Sequence, residues 1–336
     1  MKFGLLCYNF KFKKSTNVGD YIQSLAAKRF IDEIKAESIL INREELSIWD
    51  GEKLPLFMNG WFMHNPDNWP PNDNIIPIFV SFHINDSVKD VFSRPVSINY
   101  FEQFQPIGCR DLSTVQFLNE KGIKSYFTGC LTLTLEKSKY SNKKSEENID
   151  VLFCDILHLK GSVRYLFKRR DITFFSKCLR FPRIIKEKLG GKNSSKIMHK
   201  LKGALGKRKV DYLTTQLSNK LSEKVRFEIA AVYLKKYAHA KLVVTSRIHV
   251  ALPCLAFGTP VLFVNPELDE SRFPGLLELL NVIEPKDLLS MKKNDLKQML
   301  LNLKNKNNYL IKRDELINYC STIVNKISRD NELNKL

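Results

Sequence analysis

One stretch, Lys241 to Val264, reading KLVVTSRIHVALPCLAFGTPVLFV, constrains the fold more than any other part of the chain. Leu242 to Thr245 is a short apolar run of strand type. Val250 to Phe257 has the apolar spacing of a helix, Gly258 stops it, and Pro260 to Val264 is a second buried strand. A βαβ unit of this kind requires a parallel sheet, in which ligands gather at the carboxyl ends of the strands. Ser246, Arg247 and His249 fall at that edge, before a helix whose unpaired N–H groups and dipole favour an anion. On spacing alone two readings stand: a cap, a surface charge and a hydrogen-bonded imidazole, or an anion site with a titratable group in it.

Ser97 to Leu135 reads as a second unit of the same kind. It opens with an extended segment, passes Gly108, Cys109, Arg110 and Asp111, and enters an amphipathic helix carrying Leu112, Val115, Phe117 and Leu118. Asp111 is placed to cap that helix and Gly122 to end it, with a further strand from Ile123 to Phe127. Arg110 thus occupies in the first half the place of Arg247 in the second, and two arginines would face each other.

Near the N-terminus, Asn17, Val18, Gly19 and Asp20 precede YIQSLAAKRFI, a helix with Ile22, Leu25, Ala26 and Phe30 on one face. Gly19 permits a close backbone approach, and Asp20 either caps the helix or accepts a proton from a sugar hydroxyl. Asn59, Gly60 and Trp61, followed by His64 and Trp69, form an aromatic loop that either stacks on a sugar ring or covers the core. His83 ends another strand and is a weaker candidate of the same sort.

Taken in order, NVGDYIQ, IGCRD, FTGCLTLTL and TSRIHVALPCLAFGTPVLFV resemble the polysaccharide pyruvyl transferase family, over most of residues 1 to 135 and 210 to 285. The resemblance implies an α/β protein of two Rossmann-like domains facing across a cleft, GT-B-like. It also implies transfer of the enolpyruvyl carbons of phosphoenolpyruvate onto two hydroxyls of a sugar, giving a cyclic pyruvate ketal. It assigns Arg247, Ile248 and His249 to donor binding or catalysis, and it sets Asn17, Gly19 and Asp20 at the edge of the site. Family members carry a basic residue about twenty positions later. Arg272 is the nearest match, in a different local setting.

The chemistry of such a donor suits these side chains. Two guanidinium groups clamp a carboxylate and a phosphate bidentately, which fits Arg110 and Arg247, with Ser246 and Arg272 as further donor contacts. His249, titrating near neutrality, is the candidate acid for the vinyl carbon, with Asp20 the second catalytic candidate. Asn17, Gly19, Asn59, Trp61 and His64 are the acceptor-side candidates. The donor is a substrate, and no cofactor is expected. A GT-B-type glycosyltransferase taking a nucleotide sugar is the alternative, because a helix N-terminus serves a diphosphate equally well. A non-catalytic basic membrane or assembly protein is the third possibility.

A chain of 336 residues with 43% apolar and 27% charged residues is ordinary for a soluble two-domain protein. The expected division is 1–137 for the acceptor-side domain, 149–290 for the donor-side domain with a basic insertion at 160–209, and 291–336 for C-terminal helices. FGLLCYNF is too short for a membrane span and lacks a cleavage site, so a cytoplasmic location is expected. The net charge of +18 is concentrated between Lys160 and Lys209, where 17 Lys and Arg stand against Asp171 and Glu187. Interleaved Phe167, Phe174, Phe175 and Phe181 suit peripheral contact with an anionic membrane, where a lipid-linked oligosaccharide acceptor would lie. The competing reading is a solvated basic insertion. Nucleic acid is not expected, since no recognised binding module accompanies the charge. Seven cysteines without a CxxC pair read as reduced core residues, and the six histidines lack metal-ligand spacing, so no metal is expected.

Overall fold

A computed structural model describes residues 1–9, 15–141, 149–157, 194–266 and 272–333. It is a mixed α/β structure built on parallel sheets. In the first half, β1 (Lys2–Cys7), β3 (Glu37–Asn42), β4 (Leu54–Phe57) and β6 (Ile75–Ile78) form one sheet in the order β3-β1-β4-β6. A second sheet runs β5-β7-β8-β9, from β5 (Gly60–Phe62), β7 (Phe82–Ile84), β8 (Ile107–Cys109) and β9 (Ser125–Phe127). β4 leads into β5 and β6 into β7, so the second sheet continues the first beyond a bend. The bend uses left-handed backbone at Gly60 (φ 110°) and Ser81 (φ 54°). A Cβ on Gly60 would also come within 3.2 Å of the Gln23 side chain, which favours glycine there.

The second half is a five-stranded parallel sheet in the order β11-β10-β13-β14-β15. Its strands are β10 (Val151–Cys154), β11 (Val210–Leu213), β13 (Val243–Thr245), β14 (Val261–Val264) and β15 (Asn281–Ile283). β10, β13 and β14 are buried at every position, as expected of a parallel sheet covered on both faces. The helix Ile248–Ala256 joins β13 to β14, and Gly258 with φ 68° follows its end, as its sequence predicts. Of the basic stretch, residues 158–193 lie outside the described residues. Residues 194–205 are a helix whose Ile197 and Leu201 are fully buried against Val151, Phe153 and Val244 of the sheet.

The two halves share apolar packing. β2 (Ser15–Asn17) pairs antiparallel with β12 (Gln216–Ser218), and the Val18 amide donates to the Thr215 carbonyl at 2.8 Å. Tyr21 of the helix Val18–Glu33 donates to Glu223 at 2.9 Å and accepts from Arg226 at 2.9 Å on the helix Glu223–His239. The terminal helix Tyr309–Leu333 returns to the first half, where Ser321 reaches Glu33 and Lys312 lies over the Phe127 ring. One cluster of buried side chains therefore runs from Phe3 and Phe30 through Leu234 and Leu252 to Leu316 and Val324.

Two local expectations change. The segment expected to be extended from Ser97 is instead most of a helix, Pro95–Phe104, with Pro95 in its first turn. Ser97, Tyr100 and Phe101 are buried at helical spacing, which outweighs the β-branched residues nearby. FTGCLTLTL continues as strand only to Phe127, and Leu131–Thr134 is a 3-10 turn closed by the Thr134 hydroxyl on the Leu131 carbonyl. Its alternating Leu and Thr are all buried, so alternation there does not mark a two-faced strand.

Candidate active site

Register explains how the first half presents its groups. Trp61 lies beside His83, and Phe82 beside Cys109, so the residue after each, His83 and Arg110, are also neighbours. Side chains alternate across a strand. Phe62, Phe82 and Cys109 therefore share one face, where Phe62 and Phe82 meet Trp69, Phe92 and Phe101 in an aromatic core. Trp61, His83 and Arg110 stand in a row on the other face. Of the two loop tryptophans, Trp69 is thus core and Trp61 is half-exposed, 4.2 Å from the His64 ring and 5.1 Å from the Arg43 guanidinium.

Asp111 caps the helix Leu112–Glu120 as expected, accepting from the Thr114 amide and hydroxyl at 2.9 Å each. Its other oxygen lies 2.6 Å from His83 Nδ1 in a bent contact and 3.7 Å from Arg110 Nε. Thr114 Oγ1 accepts from the Ile84 amide and is 3.3 Å from the same His83 nitrogen. Thr114 gives its own proton to Asp111, so both neighbours of His83 Nδ1 act as acceptors, and Nδ1 carries the ring proton. His83 Nε2 is fully buried with no hydrogen-bond partner. Burial and then the Arg110 charge lower the His83 pKa to about 4 despite Asp111, so the ring is neutral. Burial also lowers the Arg110 pKa, and Arg110 Nε makes no hydrogen bond.

From the second half, the helix Ile248–Ala256 brings His249 to the same place. A Cβ on Gly19 would lie 2.8 Å from His249 Cβ and 3.0 Å from its Nδ1, so Gly19 is the wall against which this imidazole packs. Asn17 accepts from the Gly19 amide at 2.9 Å and fixes that wall. His249 Nε2 is shielded from solvent and has no partner. Burial, then Arg110, Arg272 and His83, hold the His249 pKa well below that of a free imidazole. Arg272 is carried in by the segment at 272–275, which is fastened by the Leu112 amide donating to the Pro274 carbonyl at 3.0 Å. Arg247 occupies the N-cap position of the helix without a side-chain capping bond, and its Nε lies 3.3 Å from Asp155 Oδ2. Asp155 follows β10 in left-handed backbone (φ 44°) and accepts from the Thr215 amide and hydroxyl. Burial opposes its charge, but the Thr215 bonds and Arg247 prevail and lower its pKa.

The structure thus brings Gly19, Arg110, Arg272 and His249 together between the halves, with Asn17 behind Gly19. Asp20 lies on the same helix start, within hydrogen-bonding distance of Gln23. Ile248 is half-buried at the first helical position. Two candidates are turned into the fold. Ser246 donates to the Val264 carbonyl and accepts from the Leu157 amide, while Asn59, 1% exposed, donates to the Gln23 carbonyl. Cys109 and Cys130 are fully buried with raised thiol pKa values, as packing residues are.

The Polysaccharide pyruvyl transferase profile matches residues 17–267. The chain belongs to the polysaccharide pyruvyl transferase family. It is therefore a transferase, and its reaction is pyruvyl transfer to polysaccharide. No curated protein matches it. Among solved structures, a functionally uncharacterised Klebsiella pneumoniae protein aligns at 14% identity and TM-score 0.44, over 80% of this chain and 85% of that one. Methanocaldococcus jannaschii UDP-GlcNAc 2-epimerase, in complex with UDP-GlcNAc and UDP, aligns at 11% identity and TM-score 0.47, over 98% and 100%.

Sequence reasoning missed several members of this pyruvyl transferase's candidate site. Asp155 was findable, as a carboxylate directly after the apolar run Val151 to Cys154, at the same sheet edge as Arg247. Asp111 was seen only as a cap, and its contact with His83 joins elements far apart in sequence. Arg43 gave no signal. It is 2% exposed, paired with Glu44 at 2.6 Å and held between the Tyr8 and Trp61 rings.

Proposed function

We propose that the enzyme takes phosphoenolpyruvate as donor and forms a pyruvate ketal on a sugar of a surface polysaccharide or its lipid-linked precursor. In this reading the two halves work as the facing sides of a GT-B-like cleft, with the acceptor over Trp61 and His64 and the donor among the arginines. The observation that carries the reading is the pairing of a buried, incompletely bonded Arg110 with a histidine whose Nε2 lacks a partner. Burial, and after it the Arg110 and Arg272 charges, hold free His249 neutral. An anionic donor lying among the same arginines reverses that field and favours the imidazolium. His249 then protonates C3 of the vinyl group, C2 becomes electrophilic, a hydroxyl adds, phosphate leaves, and a second hydroxyl closes the ketal. Asp20, in the first turn of the helix that also carries Gly19, is the second catalytic group in this reading.

The test is thermal stabilisation by phosphoenolpyruvate against a panel of nucleotide sugars. A shift with phosphoenolpyruvate is expected. A shift with a nucleotide sugar alone would overturn the donor assignment in favour of a glycosyltransferase. His249→Ala should cut turnover by roughly 10²–10⁴-fold while the protein still folds, and full activity would remove its role as the acid. Membrane contact is a separate proposal resting on the sequence of the basic stretch. Neutralising Lys168 to Arg183 should reduce sedimentation with anionic liposomes at low salt, and unchanged sedimentation would end it.

A further inference from the structure

The reaction moves two protons, and the proposed acid accounts directly for only one of them. Each of two sugar hydroxyls loses a proton. One proton ends on C3 of the donor, making the methyl group, and the other departs with the phosphate. A group that takes the first hydroxyl proton has to stand between acceptor and donor, be unprotonated, and have a free lone pair. His83 meets each condition. It sits on β7 between β5, which presents Trp61, and β8, which leads to Arg110, on the face they share. Adjacent strands are about 4.8 Å apart, so the three residues form a continuous line from sugar platform to anion clamp. Its Nδ1 is committed to Asp111 and Thr114, which leaves the lone pair on Nε2, and that atom is buried without a partner.

We infer that His83, oriented by Asp111, is a second proton-transfer residue of this enzyme and acts as general base toward the first acceptor hydroxyl. The inference rests on the donor reading above. His249 gives a proton to C3 while His83 Nε2 takes the proton of the attacking hydroxyl, and the new C–O bond forms at C2. The C2–O bond to phosphate breaks, and His83 passes its proton to the departing phosphate. The second hydroxyl attacks C2 and gives its proton to His249. Both imidazoles return to their starting states, and the products are the ketal and inorganic phosphate. An imidazole beside a carboxylate is suited to this work because the carboxylate fixes the tautomer and stabilises the transient imidazolium.

His83→Asn keeps an amide donor for Asp111 but lacks an atom at Nε2. His83→Gln restores a polar group near Nε2 that does not accept a proton. With phosphoenolpyruvate and the member of a p-nitrophenyl hexoside panel that the wild type turns over fastest, both should lose roughly 10²–10⁴-fold in kcat. KM for phosphoenolpyruvate and its thermal shift should hold. Either variant retaining kcat within threefold would overturn the inference. Absence of a phosphoenolpyruvate shift in the wild type would instead overturn the donor reading. A measurement that requires no variant is the imidazole 15N spectrum of the wild type, where His83 must show a protonated Nδ1 and a bare Nε2. A proton on Nε2 in the free enzyme would overturn the assignment even if both variants failed to fold.

Discussion

Arg110 and Arg247 hold matching places, each just past a strand and before a helix, yet their surroundings differ. Arg110 is 2% exposed, with its Nε lacking a hydrogen bond and Asp111 at 3.7 Å shared with His83. Arg247 is 27% exposed and is steadied by Asp155 at 3.3 Å. A buried, incompletely bonded guanidinium gains most from an incoming anion, since water is not there to solvate it. A half-exposed and paired one gains geometry and little else. In the proposed reading, the first half therefore supplies affinity for the anionic donor, and the second half supplies its alignment beside His249.

The largest effect expected from this difference is on donor binding. Arg110→Met should weaken phosphoenolpyruvate binding by about a thousandfold in calorimetric titration, the cost typical of deleting one charge from a buried contact. A loss no greater than that of Arg247→Lys would break the comparison. pH provides the second handle. Unfolded His83 titrates near its ordinary 6.5 and folded His83 at about 4, so between these values the unfolded chain binds more protons. Stability should accordingly fall as pH drops from 6.5 to 4, by on the order of 3 kcal/mol. His249, shifted in the same direction, adds to this slope. Asp155 has a lowered pKa, so its contribution is lost only as pH falls below the usual carboxylate range. Denaturant titrations at pH 7 and pH 5 should show the slope in the wild type and a shallower one in His83→Asn. Equal slopes would mean that His83 is not held neutral. The smallest effect belongs to the second half, where Asp155→Asn and Arg247→Lys should each reduce donor affinity about tenfold, since a paired, half-exposed contact is replaced by a weaker one.

The difference between these arginines was invisible in the sequence, although their equivalence was not. Strand-end position, helix start and apolar periodicity are local, and from them Arg110, Arg247 and His249 could be placed at sheet edges. Burial and pairing are non-local. Asp155 reaches Arg247 across 92 positions, and His83 reaches Asp111 across the 3-10 turn and two α-helices that intervene between β7 and β8. Gly19 illustrates the intermediate case. Its loop was recognisable as a close-approach position, but the object approached, His249, lies in the other half. Ser246 and Asn59 show the converse, because small polar residues at strand ends suit a ligand or the backbone equally. Here their hydrogen bonds go to the backbone.

The core that runs unbroken from Phe3 to Val324 bears on how this enzyme can change its substrate. Where two lobes are joined only by a linker, a new lobe can be grafted to deliver a new specificity. Here the helix Val18–Glu33 provides both a wall for His249 and a packing surface for Glu223–His239 and the terminal helix. An exchanged half would disturb the interface and the imidazole together. If the acceptor lies over Trp61 and His64 as proposed, its preference is open to alteration by single substitutions there and closed to recombination of halves.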